Sequence, residues 1–364
     1  MPPTPAAALA AACKAFDAAA IARALRAGAD PNHSQRGWTP LAALIQETAH
    51  GDEPAIEPAR RLAAIGALLD GGAALELRSG FPAVEPLLLA ALGGQHDVVA
   101  LLIERGARVD DFAAAALGQR AALAKRLAKE PALAKARDPD GFTLLHFACG
   151  SRMGRDDARL ARALDELVTL LLQAGADPNA LGVARKAPLA PSYFAINARR
   201  FETTRLLLRS CADPTTALVT AVWNTKGEFA RYGALCVEHG ARLADARSAG
   251  RPLLNDLVRW GQFAPARWLL EQGADPNQPD ADGFTALHQA ASRGNLAMWE
   301  SLLAAGGDPQ RAAKDGTTPH QFAVRKKLVG VAKQLVAKAR GAKEPMADPP
   351  VAKARNAKAR RPTK

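Results

Sequence analysis

One short phrase, an apolar helix followed by Gly-Ala-Asp-Pro-Asn, returns along this 364-residue chain and constrains its fold more than any other feature. Clear copies end at Asn32, Asn179 and Asn277. Weaker copies lie between and after them, and the glycine-to-glycine spacings, with Cys211 in one glycine position, are 44, 34, 69, 36, 29, 33 and 33 residues. A recurrent step near 33 residues indicates one supersecondary unit used many times. Such units bury their apolar faces only by stacking, so we predict a solenoid with an extended surface.

The best-preserved copy, residues 283–306, shows how one repeat is expected to fold. The Thr285 hydroxyl suits the N-cap of a first helix, and apolar residues at helical spacing give that helix one buried face. Gly294 permits the chain to reverse into a second, antiparallel helix, and Gly306 suits the left-handed position that ends it. The Asp-Pro-Asn segment favours a turn. The predicted repeat is therefore a helix-turn-helix followed by a short finger loop.

This pattern resembles the ankyrin repeat. The family's opening sequence, Gly-x-Thr-Pro-Leu-His-x-Ala-Ala, has counterparts that begin at Gly37, Gly141, Gly283 and Gly316. The resemblance implies an all-α solenoid over residues 4–340, in which the fourth repeat is an abbreviated Leu-x-x-Glu-Pro-x-Leu variant. About ten repeats are expected, at residues 4–32, 37–76, 81–110, 111–140, 141–180, 186–214, 215–243, 250–277, 283–310 and 316–340.

The same resemblance implies binding rather than catalysis, because ankyrin proteins bind other proteins and are as a rule not enzymes. His146 and His288 stand where the family's Leu-His pair uses the imidazole to bond the backbone of a neighbouring finger. The other histidines lack metal-ligand spacing, and the chain has neither a phosphate-binding glycine loop nor a nucleophile elbow. We therefore predict a non-enzymatic protein with no cofactor and no metal site, whose partner is another protein.

The resemblance also indicates where that partner would bind, since in ankyrin stacks the fingers and first helices line the concave side. Candidates just after the opening glycine are Trp38, Phe142 and Phe284. Candidates just beyond the small residue pair are Trp223, Asn224, Arg259, Trp260, Ser292 and Arg293. Tryptophan and arginine dominate interface energetics, so Trp223, Arg259 and Trp260 are expected to form a contact patch. For the first set, binding a partner and covering the adjacent finger remain equal alternatives.

Charge is concentrated at the end of the chain. The net charge is +12, and residues 325–364 hold 13 Lys or Arg against two acidic residues. Residues up to about Arg340 retain helical apolar spacing and suit a capping helix, whereas 341–364 cannot form a core and are expected to be disordered. This tail either keeps the protein soluble or attracts nucleic acid, polyphosphate or an anionic membrane without selectivity. Its candidate polyanion-binding residues are Lys353, Arg355, Lys358, Arg360 and Arg361.

Targeting signals are weak. The Ala-rich start before Cys13 superficially resembles a lipoprotein cleavage site, but it has no basic region and opens with prolines. No stretch approaches the ~18 apolar residues of a membrane span. The four cysteines are scattered without a Cys-x-x-Cys pair, which favours a reducing compartment. A cytoplasmic monomer is expected.

Two repeats carry extra residues between their helices, at 47–58 and 150–162. Solenoids displace such insertions onto loops or longer helices without disturbing the stacked core. Each insertion is either a docking element or a loop tolerated because closure entropy grows slowly with length.

Overall fold

The computed structural model describes residues 3–47 and 56–325. These residues belong to two compact parts, Met1–Arg242 and Leu243–Lys364, called here the N-terminal and C-terminal parts. The helices of the N-terminal part are α1 (Pro5–Lys14), α2 (Ala18–Arg26), α3 (Pro40–Glu47), α4 (Pro58–Asp70), α5 (Pro86–Gly93), α6 (His96–Glu104), α7 (Asp111–Ala116), α8 (Arg120–Lys129), α9 (Leu144–Gly150), α10 (Ala158–Gln173), α11 (Pro191–Asn197), α12 (Phe201–Arg209), α13 (Pro214–Asn224) and α14 (Phe229–Glu238). Those of the C-terminal part are α15 (Leu253–Trp260), α16 (Phe263–Glu271), α17 (Ala286–Arg293), α18 (Leu296–Ala304) and α19 (Pro319–Arg325).

The predicted all-α class is confirmed. Helices α1 to α18 form nine consecutive pairs, and α19 stands at the start of the tenth predicted repeat, within the residues that the structure describes. The short strands lie in the fingers: β1 (Gly182–Ala184) pairs with β2 (Ala187–Leu189), and β3 (Arg247–Ser248) pairs with β4 (Arg251–Pro252), each antiparallel.

Each repeat buries its apolar faces against its neighbours. In the N-terminal part the first helices of successive repeats pack on one another from α1 to α13, and second helices pack on second helices, as α2 does on α4 and α10 on α12. In the C-terminal part α15 packs on α17, α17 on α19, and α16 on α18. The core between the helices consists mainly of alanine and leucine. Because the alanine side chain is small, neighbouring helices can pack closely where alanine lies between them.

The histidines of the opening motif tie each helix start to the next finger. In α9, His146 Nδ1 accepts a hydrogen bond from the Thr143 amide at 3.0 Å, and Nε2 lies 3.1 Å from the carbonyl oxygen of Leu189. His288 makes the same contacts with the Thr285 amide and the Thr317 carbonyl. The structural role that the resemblance implies for both histidines is therefore confirmed.

The Asp-Pro-Asn phrase forms a set of hydrogen bonds between neighbouring fingers, called here the clasp. Asp177 accepts a hydrogen bond from the Asn179 amide, which shapes the local turn. The Asn179 side chain then donates to the carbonyl of Cys211 at 2.8 Å and accepts from the Asp213 amide at 2.7 Å. Asn32 and Asn277 repeat this clasp on the fingers that follow them. The motif recurs because each copy satisfies backbone groups of the next repeat.

Cys211 occupies a left-handed position, with φ of +66°, where the other clear copies have glycine. Its side chain is exposed, whereas Cys13, Cys149 and Cys236 are buried. The assignment of Cys211 to the glycine position is therefore confirmed, and its exposed side chain takes no part in the core.

The abbreviated fourth repeat lets an ion-pair cluster reach across it. Arg78, on the finger before α5, donates to Asp138 at 2.8 Å and to Asp140 at 2.7 Å, on the finger before α9. Burial alone would lower the pKa of Arg78, but the hydrogen bonds to these two carboxylates raise it. The Asp138 side chain is only 2% exposed and also accepts from the Phe142 amide. Asp138 therefore both holds the turn before α9 and pairs with the half-buried Arg78.

Asp138→Ala should lower the free energy of unfolding by about 2 kcal/mol, because it removes the buried carboxylate that pairs with Arg78, leaving only Asp140 and Glu85, and removes the acceptor for the Phe142 amide. Asp70→Ala is the matched control, since Asp70 pairs with Arg105 at 2.9 Å but is 72% exposed. Exposed pairs contribute little, so the control should cost less than about 1 kcal/mol. Urea denaturation measures both variants, and equal losses would contradict this role of Asp138.

The two insertions differ in what the structure describes. Of the first, residues 48–55 lie outside the described residues. The second forms a loop after α9, whose Met153 is buried, and then enters the long helix α10. The predicted tail, 341–364, and most of the predicted capping helix also lie outside the described residues.

Candidate functional site

The C-terminal ends of α15 and α17 bring four of the predicted binding residues together: Arg259, Trp260, Ser292 and Arg293. These four residues are called here the Arg259–Trp260 patch. Trp260 is 60% exposed, and the guanidinium carbon of Arg259 lies 5.7 Å from the centroid of its indole ring. The Arg293 Nε donates to the Arg259 carbonyl at 2.5 Å, which fixes the end of one helix against the other.

Left-handed glycines place these side chains at the helix ends. Gly261 has φ of +77° and ends α15 directly after Trp260, and Gly294, with φ of +67°, ends α17 directly after Arg293. Ser292 is half-buried, and its hydroxyl donates to the Gln289 carbonyl of the same helix. The patch presents one large apolar ring beside two exposed guanidinium groups. Such a surface can bury apolar area and pair with carboxylates at the same time.

Trp223 is not equivalent to Trp260 in the structure. Helix α13 has 11 residues, whereas α15 and α17 have 8 each. Trp223 is the tenth residue after the N-cap Asp213, whereas Trp260 is the eighth after Pro252. Trp223 and Asn224 are half-buried, and the indole nitrogen of Trp223 is buried without a hydrogen-bond partner among the described residues. The two tryptophans also belong to different compact parts.

Phe142 is fully buried, so its selection as a partner-binding residue is wrong. Its ring packs against His146 and Phe194 at centroid distances of 5.2 and 5.3 Å. It also covers Gly182 in strand β1 so closely that a Cβ there would lie 2.1 Å from the Phe142 ring. Of the two alternatives for this position, cover for the adjacent finger is the one that the structure shows.

Phe284 and Trp38 are half-buried. The Phe284 ring lies 4.8 Å from that of Phe322 and 5.3 Å from that of His288, so much of its surface packs inside the repeat stack. Trp38 lies beneath the guanidinium of Arg185, whose carbon is 5.9 Å from the indole centroid. Neither residue is brought next to the Arg259–Trp260 patch by a described contact.

Sequence reasoning missed Asn255, which takes the position of the motif histidine in α15. Its side chain donates to the carbonyls of Phe284 at 2.8 Å and Gln278 at 3.1 Å, so it reproduces the link that His146 makes to Leu189. The sequence contains a signal for this role, because Leu253-Leu254-Asn255 aligns with Leu144-Leu145-His146 of the opening motif. This contact fixes the register of the repeat that carries Trp260.

Two buried cysteines and the two motif histidines have shifted pKa values. Burial raises the pKa of the thiols of Cys149 and Cys236 to about 12. Burial also lowers the pKa of His146 to about 4, and that of His288 in the same direction. Over residues 3–47 and 56–325, no cluster of three His, Cys, Asp or Glu side chains has the arrangement of a metal site.

The candidate polyanion-binding residues Lys353, Arg355, Lys358, Arg360 and Arg361 lie outside the described residues. Within the described part of the chain, no helix has the length and apolar character to cross a membrane.

Known families match two regions of the chain. A model described as "Ankyrin repeats (3 copies)" matches residues 254–346, which include the Arg259–Trp260 patch. A single "Ankyrin repeat" model matches residues 140–182, which include α9, α10 and the start of the β1–β2 finger. Each matched region contains a clear copy of the Gly-Ala-Asp-Pro-Asn phrase, ending at Asn277 and at Asn179 respectively.

Curated relatives match over short stretches. The human Neurogenic locus notch homolog protein 4 is 36% identical over 89 residues, 24% of this chain and 4% of that protein. The Caenorhabditis elegans Ankyrin repeat and LEM domain-containing protein 1 homolog is 48% identical over 58 residues, 16% of this chain and 8% of that protein. Human Palmitoyltransferase ZDHHC13 is 31% identical over 106 residues, 27% of this chain and 17% of that protein.

The chain thus spans less than a fifth of the length of each of these three relatives. Their similarity to this chain covers repeats and does not carry over the activity in a relative's name, such as palmitoyl transfer. Ankyrin repeats imply a protein–protein interaction module, typically without catalysis. The stacked helix pairs, the histidine links and the two family matches agree: this chain contains ankyrin repeats.

Proposed function

We propose that this protein is a non-enzymatic scaffold or inhibitor that holds another protein on the concave side of its repeats. The observation that carries the proposal is the exposed Trp260 beside Arg259 and Arg293, at the ends of two first helices. Large exposed aromatic rings next to arginine are typical of the residues that contribute most to binding. In this proposal the protein acts as a cytoplasmic monomer, with residues 4–340 forming the solenoid.

The mechanism is recognition by a preorganised surface. The helix ends that carry the patch are fixed by left-handed glycines and by the hydrogen bond from Arg293 to Arg259. Little conformational entropy is therefore lost when a partner binds, and more of the contact energy contributes to affinity. Arg259 and Arg293 favour a partner surface that places carboxylates around an apolar centre.

Affinity isolation followed by mass spectrometry tests this function. The bait proteins are the full chain, the Trp260→Ala variant and a chain that ends at residue 340. We expect a partner that the full chain and the shortened chain retain and that Trp260→Ala loses. A partner retained equally by Trp260→Ala would contradict binding through the patch.

A second candidate function is suggested by charge alone. Residues 325–364 carry 13 basic side chains, including Lys353, Arg355, Lys358, Arg360 and Arg361, against two acidic ones. As an adaptor, this segment would attach the repeats to nucleic acid, polyphosphate or an anionic membrane. No aromatic residue follows Phe322, so base stacking would not contribute and binding would be electrostatic.

If the adaptor function holds, the full chain should bind polyphosphate or DNA with an affinity that falls at least tenfold as salt is raised from 50 to 200 mM, because neutralised phosphates release counterions. Fluorescence anisotropy with a labelled oligonucleotide measures this dependence. Removing residues 341–364 should abolish binding. Binding that survives this deletion, or that ignores salt, would rule the adaptor function out.

A further inference from the structure

A cavity of about 150 Å³ lies in the N-terminal part and is lined by residues of several first helices. Helices α3, α5 and α11 and the finger before α5 contribute its walls. Its apolar lining consists mainly of Ile45, Phe81, Leu89, Leu92, Leu189 and Phe194. None of the described residues that line it is acidic. An apolar cavity of this volume holds one benzene-sized group, so it suits a single aromatic or branched aliphatic side chain.

One edge of the cavity is positively charged. Arg152 lines the cavity, is half-buried, and donates to the Asn197 carbonyl at 2.7 Å. Burial and the positive charges of Arg155 and Arg199 lower the pKa of Arg152. Among the described residues, neither Arg152 nor Arg155 has a carboxylate partner, while Arg199 lies 3.5 Å from Glu228. Like charges held close together in a half-buried site repel one another, and a carboxylate bound there would reduce this repulsion.

The finger side of the cavity carries a further cation. Arg185, in the turn between β1 and β2, lies over the ring of Phe81 with its guanidinium carbon 5.3 Å from the centroid. Tyr193 lines the cavity, and its hydroxyl has no hydrogen-bond partner among the described residues. Burial raises the pKa of Tyr193, so this hydroxyl stays protonated and can donate. The cavity therefore combines an apolar centre, arginines near both sides and a donor without a partner.

The cavity and its charged edge at Arg152 and Arg155 are called here the cleft. We propose that this cleft binds an acidic peptide segment of a partner protein, with one aromatic side chain in the cavity and carboxylates paired with Arg152 and Arg155. Charge complementarity selects an acidic segment, and the volume selects one bulky apolar side chain. A ligand with negative charge alone would leave the apolar lining unfilled. The proposal rests on the protein-binding function, but it concerns residues 45–198 and not the Arg259–Trp260 patch.

Fluorescence anisotropy of the full-length protein with labelled peptides tests the cleft. The probe is acetyl-Glu-Asp-Phe-Asp-Glu-amide, compared with a peptide that has Ala in place of Phe and one that has Gln and Asn in place of the acids. We expect saturable binding of the probe and at least ~10-fold weaker binding of each comparison peptide, because each loses one of the two kinds of contact. Equal binding of the Ala peptide would indicate simple charge attraction and overturn the proposal. No binding of the probe at millimolar protein would overturn it as well.

Matched variants locate the site. Arg155→Gln removes an exposed cation that has no side-chain partner among the described residues, so it should fold normally and weaken probe binding ~5-fold. Arg209→Gln makes the same change at an exposed position at the end of α12 and should leave binding unaltered. Trp260→Ala should also leave it unaltered, so failure of the patch and failure of the cleft are distinguishable. Equal effects of Arg155→Gln and Arg209→Gln would overturn the assignment.

Discussion

Replacing Trp260 with alanine should weaken binding of the isolated partner about thirtyfold, equivalent to about 2 kcal/mol, and should hardly change thermal stability. The indole is 60% exposed, so its removal leaves no cavity in the repeat stack. Its loss removes the apolar centre of the patch and the ring beneath Arg259. Isothermal titration calorimetry and a melting curve on the same variant measure the two quantities.

Ile103→Ala is the matched control for this variant. Ile103 is 42% exposed on the second helix α6, so its truncation also removes exposed apolar surface, but away from the patch. Affinity for the partner should be unchanged in this control. If Trp260→Ala lowers the melting temperature by several degrees and leaves affinity unchanged, Trp260 is a packing residue and the proposed patch is wrong.

Acidification should destabilise the protein through His146. The imidazole is neutral in the fold, because burial lowers its pKa to about 4 and because Nδ1 accepts from the Thr143 amide. An unfolded histidine has a pKa near ~6.5, so between pH 6.5 and 4 the unfolded chain binds more protons. The stabilisation is fully present above pH ~6.5 and is lost as the pH falls toward 4, by about 3 kcal/mol in total.

His146→Asn tests this assignment, because Asn255 already makes the equivalent backbone contact in α15. The variant cannot titrate, so its stability should fall less steeply than that of the wild type between pH 6.5 and 4.5. Urea denaturation at a series of pH values measures the slopes. His288 contributes a pH dependence of stability with the same sign in both proteins, because burial also lowers its pKa. An NMR titration that places the pKa of His146 near 6.5 would refute the account.

The repeat architecture could be predicted from the sequence because each repeat contains the residues that form its own turns and helix caps. Gly294, Thr285 and the Asp-Pro-Asn phrase each satisfy local backbone geometry, and the structure places them as those rules require. The histidine links followed from the family resemblance. Tertiary contacts between fingers, such as the pairing of Arg78 with Asp138, could not be predicted, since they depend on how the short fourth repeat brings distant loops together.

The binding residues were predictable only in part. Trp260, Arg259 and Arg293 meet because two neighbouring first helices end on glycines at the same level. Phe142 was misassigned because the sequence position after the opening glycine is the same for a covered and an exposed ring. Burial there is decided by Gly182 on the next finger, which leaves room for the ring. The cleft near Arg152 has no motif, because residues from distant repeats line it.

Hydrogen–deuterium exchange of the full chain, with and without the purified partner, tests the central claim most directly. We expect slower exchange at the C-terminal ends of α15 and α17, around residues 259–260 and 292–293, when the partner is bound. The second helices α16 and α18 should exchange at the same rate in both states. Protection confined to α16 and α18, or to residues 341–364, would contradict partner binding through the Arg259–Trp260 patch.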